Sequence, residues 1–164
     1  MTDKNETSAA DVAREIGGHH MRLDVASEAD WTALDEGWPA CAVLVNNAGI
    51  GVYAEVLDLE IEDHRKVFET NYWGVVYGSM IAARHLKSKS GGGALINIGS
   101  INSDLPGPIL ASYNASKHAV KGFTDSFRIE LQMHDEPVSV TLIQPSAIGT
   151  PFPQHARNTT GYQA

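Results

Sequence analysis

Tyr113 and Lys117 stand at i and i+4 in Tyr113-Asn114-Ala115-Ser116-Lys117. On a helix that spacing puts both side chains on one face, one turn apart. A phenol has a pKa of about 10, so it cannot act unaided as a general base at neutral pH. A lysine cation within a few ångströms favours the phenolate and lowers that pKa. The pair thus has the chemistry of a proton donor and acceptor for a carbonyl/alcohol couple. The same spacing also fits a solvated lysine beside a half-buried tyrosine, so the pair alone decides nothing.

Two more polar residues keep it company. Ser100 follows the apolar run Ala94 to Ile98. If that run is a parallel strand, Ser100 stands beyond its carboxyl end, where ligands bind in such sheets. A hydroxyl there can hold a substrate oxygen near the phenol. Asn71 falls inside a long helical pattern, where asparagine is mildly unfavourable and invites a reason. Its alternative is a plain surface asparagine.

The elements that must position these groups alternate between strand and helix. Ser8 to Ile16 and the stretch from Ser27 to Pro39 predict helices, with Glu28 and Asp30 in the first turn of the second. His20 to Val25 predicts a short alternating strand. Ala42 to Val45 is a continuous apolar strand, the pattern of a parallel strand covered on both faces. Long helices are predicted over Ile61–Ser88 and Ser112–Met133, and further strands over Ala94–Ile98 and Val138–Ile143. The tail from Gly149 to Ala164 is polar and weakly patterned. This alternation predicts an α/β fold with a parallel sheet, and the length suits one domain over residues 1–164.

Asn46-Asn47-Ala48-Gly49, Asn71, Ser100, Tyr113-x-x-x-Lys117 and Pro145-x-x-Ile148-x-Thr150 together resemble the short-chain dehydrogenase/reductases, in order and spacing. The resemblance runs from about Asp3 to about Asn158. It implies a Rossmann-type doubly wound parallel sheet and an oxidoreductase that transfers hydride between a nicotinamide cofactor, NAD or NADP, and a small alcohol or carbonyl substrate. Tyr113 would be the general acid/base, Lys117 its partner and a ligand of the nicotinamide ribose. Ser100 would orient the carbonyl, and Asn71 would help hold a proton-relay water. Asn46, Ala48 and Gly49 would lie against the cofactor, Asp24 and Val25 near the adenine. Pro145 and Thr150 would meet the nicotinamide. The family usually has Pro-Gly where this chain has Pro145-Ser146. Asp3, aligned with the end of the second strand, would accept hydrogen bonds from a ribose 2′-hydroxyl and repel a 2′-phosphate, which favours NAD. The family's long helices pair subunits, so a homo-oligomer is expected.

The family's glycine-rich first turn has no counterpart before Asp3. On this alignment the first strand, its helix and most of the second strand are missing, and the chain ends before the last helix and strand. With a strand order of 3-2-1-4-5-6, the Leu23 strand and the Val43 strand would stand roughly 14 Å apart, too far to hydrogen-bond. Either the Leu23 strand re-docks, or a partner fills the gap, or the chain is a fragment. The alternative to an enzyme is then a non-catalytic truncated chain that associates only through its long helices. Gly49-Ile50-Gly51-Val52-Tyr53-Ala54 fits G-x-G-x-x-A. No helix clearly opens there, and Asn71 stands where an acidic residue is wanted, so it reads as a loop.

The remaining composition sets bounds. A net charge of −8 makes nucleic acid an unexpected partner. The single cysteine, Cys41, heads an apolar run and reads as a buried small hydrophobe in a reducing compartment. The N-terminus lacks the apolar core of a signal peptide, and no apolar run is long enough to span a membrane. A cytoplasmic protein is expected. The scattered histidines do not pair into a metal site. Gly74-Val75-Val76-Tyr77-Gly78 reads as close helix packing.

Overall fold

The computed structural model describes residues 1–38, 40–149 and 152–160. In chain order these form β1 (Thr2–Asp3), α1 (Glu6–Ile16), β2 (Met21–Arg22), α2 (Glu28–Glu36), β3 (Val43–Asn46) and β4 (Val52–Tyr53). There follow α3 (Ile61–Phe68), a π-helical turn (Glu69–Trp73), α4 (Gly74–Lys87), β5 (Gly93–Ile98), α5 (Ala111–Met133), β6 (Val138–Ile143), α6 (Phe152–His155) and β7 (Arg157–Asn158). Strand pairing among the described residues is parallel throughout: β1 with β2, β3 with β5, β5 with β6, and β4 with β7. The architecture is the expected Rossmann-type α/β arrangement.

The sheet is divided as the strand order requires. The order is β3-β5-β6 in one sheet and β1-β2 in another, with no ladder between β1 and β3. The Leu23 strand therefore does not re-dock on the Val43 strand. It pairs with β1 at Thr2–Asp3, and Leu23 N donates to Asp3 O at 3.0 Å. What joins the two parts is apolar packing through α2: Leu23, Trp31, Leu34 and Ile81 form one buried cluster.

The main core lies on one face of β3-β5-β6. Ala82 and Leu86 of α4 and Leu131 of α5 meet Leu95, Val138 and Val140 of the sheet. Full burial of each such aliphatic side chain contributes about 1.5–3 kcal/mol. On β3 the opposite face is open, with Val43 and Val45 at 49% and 50% exposure. The Ala42–Val45 run was expected to be covered on both faces and is covered on one. The described helices that meet this sheet, α4 and α5, share a single cluster on a single side.

The long helix over 61–88 is present but not regular. Its ladder widens to π geometry at Glu69–Trp73, around Asn71. The tail, weakly patterned in sequence, supplies α6 and β7, and β7 pairs Val52↔Arg157 and Tyr53↔Asn158. Two-residue strands carry too little periodicity to be read.

Two glycines allow close approach. Gly92 has φ +67°, and a Cβ there would fall 1.6 Å from Pro137 O, so the turn into β5 requires glycine. Gly78 of α4 faces β3: a Cβ would meet Asn46 Oδ1 at 2.3 Å and Trp31 Cη2 at 2.9 Å. Gly122, on the exposed side of α5, has nothing within 4 Å. Gly78→Ala is therefore expected to lower stability by about 1–3 kcal/mol through overpacking. Gly122→Ala should raise it by up to about 1 kcal/mol through helix propensity. Urea unfolding of the two variants checks both signs.

Candidate active site

The site is built at the carboxyl end of β5, where the loop carrying Ser100 meets the first turns of α5. Ser100 is 6% exposed. Its hydroxyl accepts from Asn102 N at 3.1 Å and its backbone N–H donates to Ser103 Oγ at 3.2 Å, which closes a short helical turn. Asn102 then donates to Asn114 Oδ1 at 2.7 Å, and Asn114 donates to Gly107 O at 2.7 Å. These bonds tie the loop to α5 at Asn114, next to Tyr113. Ile109, two residues before α5, has φ 56°. That backbone strain, of order 1–3 kcal/mol, is accompanied by a hydrogen bond from Ala54 N to Ile109 O at 3.0 Å.

Tyr113 and Lys117 lie one turn apart on α5, as the spacing implies. Lys117 is 4% exposed. Its Nζ donates to Ile98 O at 2.8 Å and sits 5.7 Å from the centre of the Tyr113 ring. Ser100 is close enough to the Tyr113 hydroxyl to act on its pKa. The electrostatics differ from the sequence expectation, in which Lys117 lowers the phenol. Burial pushes the Tyr113 phenol above its ordinary value. Ser100 only partly offsets this, and Tyr53 nearby raises it further. Lys117 answers to its own burial, which lowers it from 10.5 to about 8. At neutral pH the site thus holds a protonated phenol beside an ammonium that is easily deprotonated.

Asn71 is fully buried. The π turn aims it inward, a common use of such bulges at functional sites. Its Oδ1 accepts from Ile50 N at 2.8 Å, and its Nδ2 donates to Ile50 O at 2.9 Å and to Ser116 Oγ at 3.0 Å. Ser116 in turn donates to Tyr113 O at 2.8 Å. Asn71 therefore joins the loop after β3 to the turn of α5 that carries Tyr113. Gly49 lies between: a Cβ there would stand 3.5 Å from Asn71 Oδ1 and 3.7 Å from Lys117 Nζ.

The other expected residues are more dispersed. Asn46 turns its side chain inward, donating to Asn97 Oδ1 at 2.9 Å and Ser79 Oγ at 3.3 Å. Asn97 donates to Thr124 Oγ1 at 3.0 Å. Ala48 is exposed and Gly49 half-buried. Asp24 accepts from Ala26 N at 3.0 Å, and Val25 O accepts from Trp31 Nε1 at 2.9 Å. Asp3, exposed at the end of β1, accepts from Asn5 N at 2.8 Å. Pro145 O accepts from Ile101 N at 2.8 Å, so it abuts the Ser100 turn. Thr150 lies outside the described residues. Sequence reasoning missed Asn97, Thr124, Ser79 and Ser116. Asn97 carried a readable signal, an amide inside the otherwise apolar Ala94–Ile98. The small hydroxyls carried none. No group of acidic, histidine or cysteine side chains suited to a metal occurs among the described residues.

The family profile described as short chain dehydrogenase matches residues 1–161. The chain belongs to that family. It is 35% identical over 164 residues to an uncharacterised oxidoreductase of Bacillus subtilis strain 168, covering 94% of this chain and 46% of the relative. It is 33% identical over 160 residues to the NADP-dependent (R)-specific alcohol dehydrogenase of Lentilactobacillus kefiri, covering 93% of this chain and 64% of that enzyme. Among solved structures it resembles a Burkholderia phymatum short-chain dehydrogenase/reductase in complex with NAD, with a TM-score of 0.86 at 27% identity. That alignment covers 94% of this chain and 58% of the neighbour. It also resembles the 3-ketoacyl-(acyl-carrier-protein) reductase of Brucella melitensis complexed with NADH, with a TM-score of 0.85 at 30% identity, over 94% of this chain and 67% of that one. The chain spans about half to two thirds of the length of the curated relatives named here.

The buried lysine has a thermodynamic signature. Its folded pKa lies below its unfolded value, so between pH 8 and 10.5 the unfolded chain binds the proton that the folded chain has lost. Wild-type stability relative to Lys117→Met should therefore rise with pH across that window, by up to about 3 kcal/mol. Below the window the charge-burial penalty is fully present. The lost bond to Ile98 shifts the variant by a constant, so the pH slope from chemical denaturation is the readout. A flat difference from pH 7 to 10.5 contradicts the burial of Lys117 as an ammonium.

Proposed function

We propose that this chain carries the proton-transfer half of an oxidoreductase acting on an alcohol/carbonyl couple with a nicotinamide cofactor. The observation that carries the reading is the placement of Ser100 beside the Tyr113 hydroxyl, with Lys117 buried one turn away and Asn71 locking the turn between them. A nicotinamide, when bound, supplies or accepts the hydride. In the reducing direction the Tyr113 hydroxyl, already protonated, gives its proton to the carbonyl oxygen. Ser100 holds that oxygen, and the Lys117 ammonium offsets the phenolate charge left behind. In the oxidising direction the phenolate form takes the alcohol proton.

The described residues fit one end of such a cofactor better than the other. Lys117 and the space left by the missing side chain at Gly49 suit a ribose and nicotinamide. The pyrophosphate's usual seat is a glycine-rich helix N-terminus. The described helix that follows a strand most directly, α1, is instead capped by Asn5 and begins with Glu6. Asp3 at the end of β1 favours NAD over NADP by repelling a 2′-phosphate. Calorimetric titration of the 164-residue chain is expected to show weak NAD binding and weaker NADP binding. In the active form, whether this chain or a longer one containing it, Tyr113→Phe is expected to cut turnover at least about 100-fold. Retained turnover in that variant sinks the acid/base role.

The reading extends to assembly with a second copy. Along α4 and α5, Met80, Ile129 and Met133 are 43%, 56% and 74% exposed. A shallow groove between the two helices is lined by Met80, Ala83, Arg84, Phe127 and Leu131. These helices suit a subunit contact, and sedimentation equilibrium is expected to report a dimer. A monomer at every concentration tested rules the contact out.

A further inference from the structure

We propose that His64 is a positioning residue for the proton-transfer step: through Ser112 it fixes the N-terminal side of Tyr113, in place of the cap that α5 lacks. The inference rests on the oxidoreductase reading above. Tyr113 is only the third residue of α5, and the first turn of a helix leaves its backbone N–H groups without intrahelical partners. α1 and α2 meet this need with side chains: Asn5 Oδ1 accepts from Ser8 N at 3.2 Å, and Ser27 Oγ accepts from Asp30 N at 3.1 Å. α5 has no such cap. Its N-cap position is Leu110, which makes no side-chain cap bond and whose aliphatic side chain offers no acceptor. The residue before it, Ile109, has φ 56°. The end of the helix that carries Tyr113 is thus the end its own sequence determines least.

Side chains reaching in from other segments hold that end. Asn102 and Asn71 bind Asn114 and Ser116, both on the C-terminal side of Tyr113. On the N-terminal side the first turn is held by Ser112, which is fully buried and whose Oγ lies 2.8 Å from His64 Nδ1. A buried hydroxyl needs such a partner, and the bond forms whichever of the two supplies the proton. His64 can serve as an anchor because its own turn of α3 is fixed. Asp63, 5% exposed, receives Arg157 Nη1 on both carboxylate oxygens, at 2.6 and 2.8 Å. Val67, one turn on, belongs to a buried cluster with Val52 and Ala54. The bond from His64 to Ser112 therefore ties a settled part of α3 to the residue directly ahead of the phenol. A first turn without that tie would let Tyr113 shift relative to Ser100, and a misplacement of about 1 Å at a reacting group costs on the order of 100-fold in rate.

Three substitutions separate anchoring from mere filling of space. His64→Asn puts a polar atom where Nδ1 stands, His64→Gln puts it near the Nε2 position, and His64→Leu fills the site without bonding. Amide hydrogen exchange of the 164-residue chain should be about tenfold faster at Asn114, Ala115 and Ser116 in His64→Leu and His64→Gln, with the β5 amides unchanged. His64→Asn should stay close to wild type. Ser112→Ala, which leaves α3 intact, should match His64→Leu, and the double variant should exchange no faster than either. Ser112→Ala carries the test where His64→Leu does not fold. In the active form, whether this chain or a longer one containing it, His64→Leu should lower kcat at least about tenfold with KM within about twofold of wild type, and His64→Asn should restore most of the loss. Unchanged exchange in His64→Leu or Ser112→Ala overturns the anchor, as does His64→Asn behaving like His64→Leu. Faster exchange with an unchanged kcat overturns the positioning role. Retained turnover in Tyr113→Phe overturns the oxidoreductase reading whatever the exchange shows, so the two failures are read from different variants.

Discussion

A buried chain of polar side chains determines where everything else can sit. Asn46 of β3, Asn97 of β5, Ser79 of α4 and Thr124 of α5 form hydrogen bonds to one another in the layer between sheet and helices. Each is 9% exposed or less. An amide left unpaired there would lose about 1–3 kcal/mol, so the four elements have one mutual arrangement that satisfies the chain. Gly78 is part of the same constraint, because any side chain at that point of α4 would displace the Asn46 amide. Apolar packing alone would permit α5 to slide by a fraction of a turn along β5 and β6. The bond from Asn97 to Thr124 removes that freedom. Thr124 is itself anchored, donating to Val120 O at 2.6 Å. Lys117 lies two turns toward the N-terminus on the same helix, and its bond to Ile98 O requires that registration.

Tyr113 is thereby held from several directions with little slack. α5 is registered on the sheet from below by Asn97. Its first turn is tied to the Ser100 loop by Asn102 and Asn114, to the loop after β3 by Asn71 through Ser116, and to α3 by His64 through Ser112. These are neutral hydrogen bonds, each modest in net free energy. Their effect is geometric: they fix the placement of a phenol relative to a serine hydroxyl. The strained backbone at Ile109 and the π turn at Asn71 flank this point. Such local departures persist only where the surroundings over-determine them.

What was legible in sequence followed from periodicity and from residue type. The long helices, the β5 and β6 strands and the parallel α/β class were readable because apolar residues recur over many turns or fill whole strands. Tyr113, Lys117, Ser100 and Asn71 were readable because their chemistry is unusual for their place. The tail segment 152–160 was not readable. Its strands are two residues long, and its attachments join Arg157 to Asp63 and Asn158 to Tyr53, pairings that no local pattern encodes. Asn46 shows the opposite limit. Its motif was legible, yet its side chain works inside the protein, because a motif fixes an amide's position and not the direction it faces.

The reversal of the expected tyrosine shift has a physical origin that bears on how such a pair works. The Lys117 ammonium is held by Ile98 O at 2.8 Å, while the aromatic ring stands 5.7 Å away. Lys117 is buried and Tyr113 partly so, and each charged form carries a desolvation penalty. In this state the neutral phenol is the stable form, suited to donate a proton. The lysine charge acts most strongly only when a negative charge appears beside it. A phenolate formed during carbonyl reduction is such a charge, and it appears in a region of low dielectric where attraction over several ångströms is weakly screened. A lysine that already lowered the resting tyrosine would stabilise ground state and transition state alike and gain less. Burying Lys117 therefore destabilises the fold at neutral pH and, on the proposed oxidoreductase reading, reserves its electrostatic effect for the moment the proton leaves Tyr113.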